Sequence, residues 1–148
     1  MKKLFVSLSL LLTVIMANTA FASESINVND RVQSAFKKEF PGADLIQWNN
    51  KGEFYTATFM LWGHRTEAYF TEDGQLQGSV RSLFYNQLPL VVTTSIDKRF
   101  AAAEILGVNE INNVEGTTYS VVLEAENKKY HVKATASGGI TEIRKIKK

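Results

Sequence analysis

Two periods organise the apolar positions beyond residue 28. Val32, Phe36 and Phe40 recur every four residues, the spacing of one stripe along a helix. Asn29 stands where it can cap that helix, Asp30 falls in its first turn, and Pro41-Gly42 ends it. Alternating polarity then takes over and predicts strands over about 44–49, 53–61, 64–70 and 75–83. Turn signals at Asn50-Lys51-Gly52, Trp62-Gly63 and Glu72-Asp73-Gly74 separate them. A second helical stripe, Val92, Ile96 and Phe100, follows Pro89, a residue tolerated in a first helical turn. Four more strands are predicted over about 103–112, 117–126, 129–135 and 140–146, with turns at Val114-Glu115-Gly116, Asn127-Lys128 and Ser137-Gly138-Gly139.

The two halves align with each other. Residues 52–59 match 116–123 without a gap, and the same register sets Ala68 on Val132, Gly74 on Gly138 and Leu76 on Ile140. After a small shift, Phe36 and Phe40 meet Ile96 and Phe100. This internal similarity decides one ambiguous stretch: the β-branched residues of 90–94 favour a strand by propensity, but their place in the alignment is that of a helix. The expected fold is α+β, with tandem α-β-β-β-β repeats over about 26–86 and 87–148 and two helices packed on one face of an antiparallel sheet. Hairpin-length connections require the antiparallel pairing, since a parallel crossover needs about a dozen residues or more.

Alternation also separates the sheet faces. Tyr55, Ala57, Phe59 and Leu61, with Ala68, Phe70, Leu76 and Val80, form the face expected under the helices, matched in the second half by Tyr119, Val121, Leu123 and Ala125. The opposite face is expected to carry Phe54, Thr56, Thr58 and Met60, then Arg65, Glu67 and Tyr69, then Gln77, Ser79 and Arg81. Ser120, Val122, Glu124, His131 and Lys133 continue it in the second half. No predicted helix remains to cover that face. Its aromatics, Met and Arg are the residue types enriched at protein interfaces. The candidate binding residues are therefore Phe54, Met60, Arg65, Glu67, Tyr69 and Arg81, with Trp62 added because a large aromatic is hard to bury on a hairpin turn. Trp48 is expected to plug a core edge, and Phe84 and Tyr85 to join the two halves.

The N-terminal segment has a different character. Lys2 and Lys3 precede an apolar run over 4–16, and Ala20-Phe21-Ala22 offers a small-x-small cleavage site. Residues 1–22 are expected to be a signal peptide cleaved after Ala22, leaving residues 23–148 as a protein of the periplasm with no stable membrane anchor; the apolar run falls short of the roughly 20 residues a bilayer span requires. Of the 17 basic residues, all but Lys2 and Lys3 lie beyond that segment, and they balance the 15 acidic residues there. A general nucleic-acid binder would need a basic excess, so none is expected. The chain has no cysteine, which removes disulfides and thiolate chemistry and leaves stability to the core.

Catalytic constellations are also lacking in the pattern. His64 and His131 do not form a zinc-ligand spacing, Glu72 and Asp73 belong to a turn, and no glycine-rich phosphate cradle follows a strand. The chain is expected not to be an enzyme, and to need neither cofactor nor metal.

Phe40-Pro41-Gly42-Ala43 with Trp48, then Tyr55, then 70–76 (Phe-Thr-Glu-Asp-Gly-Gln-Leu), then Leu88-Pro89, resembles the PepSY-like, β-lactamase-inhibitor-like periplasmic domains over about residues 26–148. The resemblance implies a two-layer α+β fold with one sheet face free, and an association with binding or inhibiting proteins; it supplies no inhibitory residue set. The second half departs from the pattern at Ala101-Ala102-Ala103 and Ser137-Gly138-Gly139. The functional expectation is an exported module that binds an envelope protein through the open sheet face, a protein-binding or enzyme-inhibitor-like domain. The alternative is a small-molecule or lipid binder with a cavity between helices and sheet.

Overall fold

The computed structural model describes residues 26–146, and the expected signal peptide lies outside them. Helix α1 (Asp30–Glu39) begins as its sequence dictates: Asn29 Oδ1 accepts from the Val32 N–H at 2.9 Å, and Lys37 and Lys38 sit at the negative end of the helix dipole. The Asn29 amide also donates to the Glu72 carbonyl at 2.7 Å, tying the helix start to a distant turn. Strands β1 (Asp44–Lys51), β2 (Phe54–Leu61), β3 (His64–Phe70) and β4 (Leu76–Leu83) follow, then a 3-10 turn (Tyr85–Gln87), helix α2 (Leu90–Arg99), and strands β5 (Glu104–Asn113), β6 (Gly116–Ala125), β7 (Lys128–Thr135) and β8 (Ile140–Ile146). All eight strands form one sheet in the order of the chain, each antiparallel to its sequence neighbour.

The β-branched run at the start of α2 is helical because its stripe buries Val92 and Ile96 completely, which outweighs local propensity. Pro89 stands at the cap position rather than inside the first turn. Thr93 and Ser95 turn their hydroxyls onto the carbonyls of Leu90 and Val91, at 3.0 and 2.9 Å.

Two cores lie under the two helices. Beneath α1 the Phe36 ring meets Phe59 edge-on at 4.9 Å and Trp48 at 5.2 Å, with Val32, Ala57, Ala68 and Phe70 buried around them. Beneath α2 the filling is mainly aliphatic: Val92, Ile96, Val108, Val121, Leu123 and Val132, closed at the side by Tyr85 and Leu88. Trp48 thus plugs a core edge as expected. Tyr85 joins the second core and donates its hydroxyl to Asp97 at 2.8 Å, whereas Phe84 is 71 % exposed.

Local geometry recurs between the halves. The hairpins at Trp62-Gly63 and Glu126-Asn127 both place two successive residues at positive φ, 50° and 78° in the first and 51° and 58° in the second, as in a type I′ turn. At the next corner, Thr71 and Thr135 make equivalent backbone bonds, to Gln75 and Gly74 in one case and to Gly139 and Gly138 in the other. An extra residue interrupts the pairing at Tyr69/Phe70 in one half and at Lys133/Ala134 in the other.

The first of these bulges corrects the face assignment. Phe70 pairs with Leu76 but Tyr69 pairs with Gly78, so Gln77 is the extra residue. From Gly78 onward the faces of β4 are exchanged relative to simple alternation: Ser79 and Arg81 lie opposite Ala68 and Thr66 on the helix side, and Val80 lies opposite Glu67 on the open side. The expected placement of Ser79 and Arg81 on the open face, and of Val80 on the helix face, is therefore overturned by one inserted residue.

Ala102 takes the left-handed conformation (φ 56°) that Gly42 takes in the first half, and a side chain there is strained. Ala102→Gly is expected to stabilise the protein by about 0.5–1 kcal/mol. Gly138 is the opposite case: at φ 86°, an added Cβ would fall 2.6 Å from the Val91 carbonyl oxygen. Gly138→Ala is expected to cost about 2–4 kcal/mol, both changes being measured by urea unfolding.

Candidate binding face

The face of the sheet turned away from both helices is where the sequence placed the binding residues. Cross-strand pairing sets Thr56 opposite Tyr69, Thr58 opposite Glu67 and Met60 opposite Arg65. Phe54 and Tyr69 stand at one end of the face, Met60 and Arg65 at the other, where Trp62 projects from the hairpin at 75 % exposure. Six of the seven predicted site residues thus lie on this face or on its terminal turn. Arg81 does not.

At the Phe54 end the face is indented. Phe54, Tyr69, Val80 and Ile111 surround Gly78, with Gln77, Asn112 and Asn113 also lining the space, in a mostly apolar notch of about 250 Å³. Its position follows from register: Tyr69, Gly78 and Asn113 occupy one row across β3, β4 and β5, while Glu67, Val80 and Ile111 occupy the next. Gly78 contributes no side chain to its row. It is held to glycine by close packing, since a Cβ would lie 2.8 Å from the Asn112 carbonyl oxygen. Val80 was put on the wrong face because the bulge reverses the phase of β4, and Ile111 was missed because no face was assigned along β5; a glycine within an alternating strand signals a bulge without saying which residue is extra.

A hydrogen-bonded chain fixes the Tyr69 wall. The Tyr69 hydroxyl donates to Glu67 Oε2 at 2.9 Å, and Lys51 Nζ donates to Glu67 Oε1 at 2.9 Å while lying 6.0 Å from the centre of the Tyr69 ring. Partial burial pushes the Glu67 carboxyl up, but the hydrogen bonds from Lys51 and Tyr69 and the charges of Lys51 and Arg65 prevail, holding it below the ordinary 4.5. Burial and the bond to Glu67 raise Tyr69, and the Glu67 partner raises Lys51. Thr56, opposite Tyr69, is only 1 % exposed, and its hydroxyl has no hydrogen-bond partner among the described residues.

Arg81 belongs to a polar seam on the helix side, between the two cores. Its Nη2 donates to Glu110 Oε1 at 2.9 Å, with the two side chains 30 % and 15 % exposed. Asn112 donates to the same oxygen at 3.1 Å, Thr117 donates to Asn112 at 2.6 Å, and Tyr119 approaches Glu110 Oε2 at 3.5 Å. Burial, then the Glu110 charge, raises the Tyr119 phenol.

The histidines lie on opposite faces. His64 is on the helix side, opposite Leu61, with Nδ1 donating to the Ser82 carbonyl at 2.9 Å. His131 is on the open side, 2.6 Å from Ser120 through Nε2, and Arg144 Nη2 points at its Nδ1 from 3.4 Å. A guanidinium only donates, so Nδ1 accepts, Nε2 carries the proton, and it is the imidazole that donates to Ser120. That is the reverse of the arrangement that activates a serine nucleophile. Among the described residues there is no group of three or more His, Asp or Glu placed to hold a metal ion.

Comparison with solved structures identifies the fold. A BLIP-like protein of Bacteroides fragilis superposes with a TM-score of 0.72 at 24 % identity, covering 80 % of this chain and 86 % of that one. A DUF2874 family protein of Bacteroides uniformis gives 0.72 at 22 %, covering 79 % and 88 %. A candidate periplasmic protein of Bacteroides eggerthii gives 0.72 at 23 %, covering 80 % and 89 %. The chain shares the fold of these proteins. No protein-family model matches the sequence, and no curated protein matches it.

Arg81→Met is expected to lower stability by about 1–2 kcal/mol, between the values of exposed and buried ion pairs, while leaving binding at the open face unchanged. Chemical denaturation beside a binding assay separates the two effects. The Glu67 carboxyl titrates below its ordinary value in the folded state, so its contribution is present above pH 4.5 and is lost as pH falls through the lower folded value. Glu67→Gln should therefore flatten the acid limb of the stability profile, read from melting curves at successive pH values.

Proposed function

We propose that the protein is an exported binding module of the periplasm that captures an envelope protein through its open sheet face. The observation that carries this reading is the apolar notch at Gly78, framed by Phe54, Tyr69, Val80 and Ile111 on a face that neither helix covers. Interface hot spots are aromatic and sit in such depressions, and the Lys51–Glu67–Tyr69 chain holds one aromatic wall in place before any partner arrives. Export is supported by the pattern of residues 1–22 and by the periplasmic label of one structural neighbour. No helix among the described residues is long and apolar enough to cross a membrane.

The same reading takes the chain as a PepSY-like, β-lactamase-inhibitor-like domain built from two copies of one α-β-β-β-β unit. The recurrent hairpins, corners and bulges support the duplication, and the BLIP-like neighbour supports the inhibitor-like half of the comparison. A binder rather than an enzyme is proposed because the imidazoles are separated by the sheet and His131 donates to Ser120 instead of accepting from it. The alternative of a ligand cavity between helices and sheet finds less support, since Phe36, Phe59, Phe70, Ile96 and Leu123 fill those layers at no more than 3 % exposure.

The test is affinity capture from a periplasmic extract with the full chain expressed and processed by the cell, beside a Phe54→Ala/Tyr69→Ala variant of unchanged melting temperature. A protein retained by the wild type and lost by the variant is the expected result. Capture that survives the double change would move the site off this face.

A further inference from the structure

We propose that the protein pairs with a second copy of itself through the outer edge of β8, the two strands joined antiparallel about a two-fold axis at Ile143. β8 is a rim strand of the sheet, and among the described residues nothing pairs with its outer backbone. The other rim strand, β1, is ill suited to pairing. It is broken by the irregularity between Asp44 and Gln47, with Leu45 at φ 50°, and the Asn50 N–H is already bonded to the Asn49 side chain at 2.8 Å. On β8 the extra residue is Thr141, since Ala134 pairs with Ile140 and Lys133 with Glu142; beyond it the strand runs regularly from Glu142 to Ile146. Ile143 and Ile146 are each 39 % exposed there. Charges on a rim strand ordinarily repel other strands. The order of the charges on β8 makes it complementary to itself.

Symmetry and charge fix the register. Directly opposed residues of an antiparallel pair share a sheet face, and faces alternate along a strand, so a two-fold join sets one residue opposite itself. Glu142, Arg144 or Lys145 in that position would oppose like charges, which is destabilising. Ile146 there would leave Glu142 and Arg144 opposite no described residue of the strand. Ile143 there sets isoleucine on isoleucine, and brings Glu142 opposite Arg144 of the second copy, twice by symmetry. The open-face row across the join then reads Lys133, Glu142, Arg144 and His131, the last two from the second copy, so each Glu142 carboxylate lies between two cations. Within one chain Lys133 holds Glu142 at 2.9 Å, whereas Arg144 comes only to 3.8 Å and is 68 % exposed, leaving its guanidinium able to reach a nearer carboxylate. The axis stands perpendicular to the sheet, so both helix layers lie on one side of a continuous sheet and both open faces on the other. β1 remains outermost at each end, and the assembly closes as a dimer rather than growing into a fibre. None of the residues that frame the notch takes part, so the join is independent of the binding-face reading.

The experiment is sedimentation velocity of the cell-processed full chain from about 5 µM to about 1 mM, because a join of one short strand belongs to the small, transient class of interface. The wild type is expected to pass from monomer to dimer within that range. Glu142→Arg and Arg144→Glu should each weaken the dimer by about tenfold or more, since both rows then oppose like charges. Mixed in equal amounts, the two variants should associate again, because each row of the mixed dimer pairs a cation with a carboxylate. The double change Glu142→Arg/Arg144→Glu in one chain also keeps the complementarity, and relies on neither single variant folding: dimerisation like that of the wild type supports the register, and a monomer overturns it. A wild type that stays monomeric up to about 1 mM would overturn the proposal. So would self-association that neither single change weakens, or a mixture of the two folded variants that stays monomeric.

Discussion

Between Tyr69/Phe70 on β3 and Leu76/Gly78 on β4 the two strands are out of step by one residue, and the chemistry of both sheet faces depends on that step. Because side chains alternate, a single inserted residue exchanges the faces of everything that follows on the strand. Val80 is delivered to the open side and Arg81 to the helix side. The pairing with β5 then fixes their partners there, Ile111 for Val80 and Glu110 for Arg81. Without the insertion, the Ser79 hydroxyl would stand opposite Glu67, where the notch now has its aliphatic wall.

The same step accounts for the polar middle of the molecule. Each helix covers its own three or so strands, and between the two cores Arg81, Glu110, Asn112, Thr117 and Tyr119 meet on the helix side, with Glu110 accepting from Arg81 Nη2, Asn112 and Tyr119 while the buried Arg81 Nε has no hydrogen-bond partner among the described residues. A half-buried ion pair in such a seam adds little net stability, because desolvation offsets most of the attraction. Its effect is on specificity of arrangement: an unpaired Glu110 or Arg81 is costly, so the two halves are held in the one register that pairs them. The aromatic core under α1 and the aliphatic core under α2 supply the burial.

Most of the fold was legible because its signals are local. The Asn29 cap, the four-residue stripes, the Asp-Gly and Gly-Gly corners and the alternation of β2, β3, β6 and β7 each arise within a few residues, and both helices and all eight strands lie within a residue or two of where these signals put them. The helix at Leu90–Arg99 was accessible only through its alignment with the first half, since propensity argued for a strand. What was not legible was the phase of β4. Gly78 sits in an ordinary-looking alternating stretch, and whether Gln77 or another residue is the extra one depends on pairing with β3, a property of two strands rather than one. Phe54, Glu67 and Tyr69 were therefore correctly faced, Arg81 and Val80 were not, and Ile111 was assigned to neither face.

The connectivity of the sheet bears on how the protein is made. Every strand pairs with the one that precedes it, and no segment must wait for a distant partner. At six of the seven pairings the loop to be closed is a short turn, and only β4–β5 closes over the segment that carries α2, which places the sheet among topologies with little penalty from long-range closure. A chain that emerges N-terminus first can lay down one hairpin after another and seal the first core while the second half is still arriving. The unpaired edge that travels with the growing sheet is then always the next strand's docking site, occupied as soon as that strand appears, and the time for which an open β-edge is offered to other molecules is short.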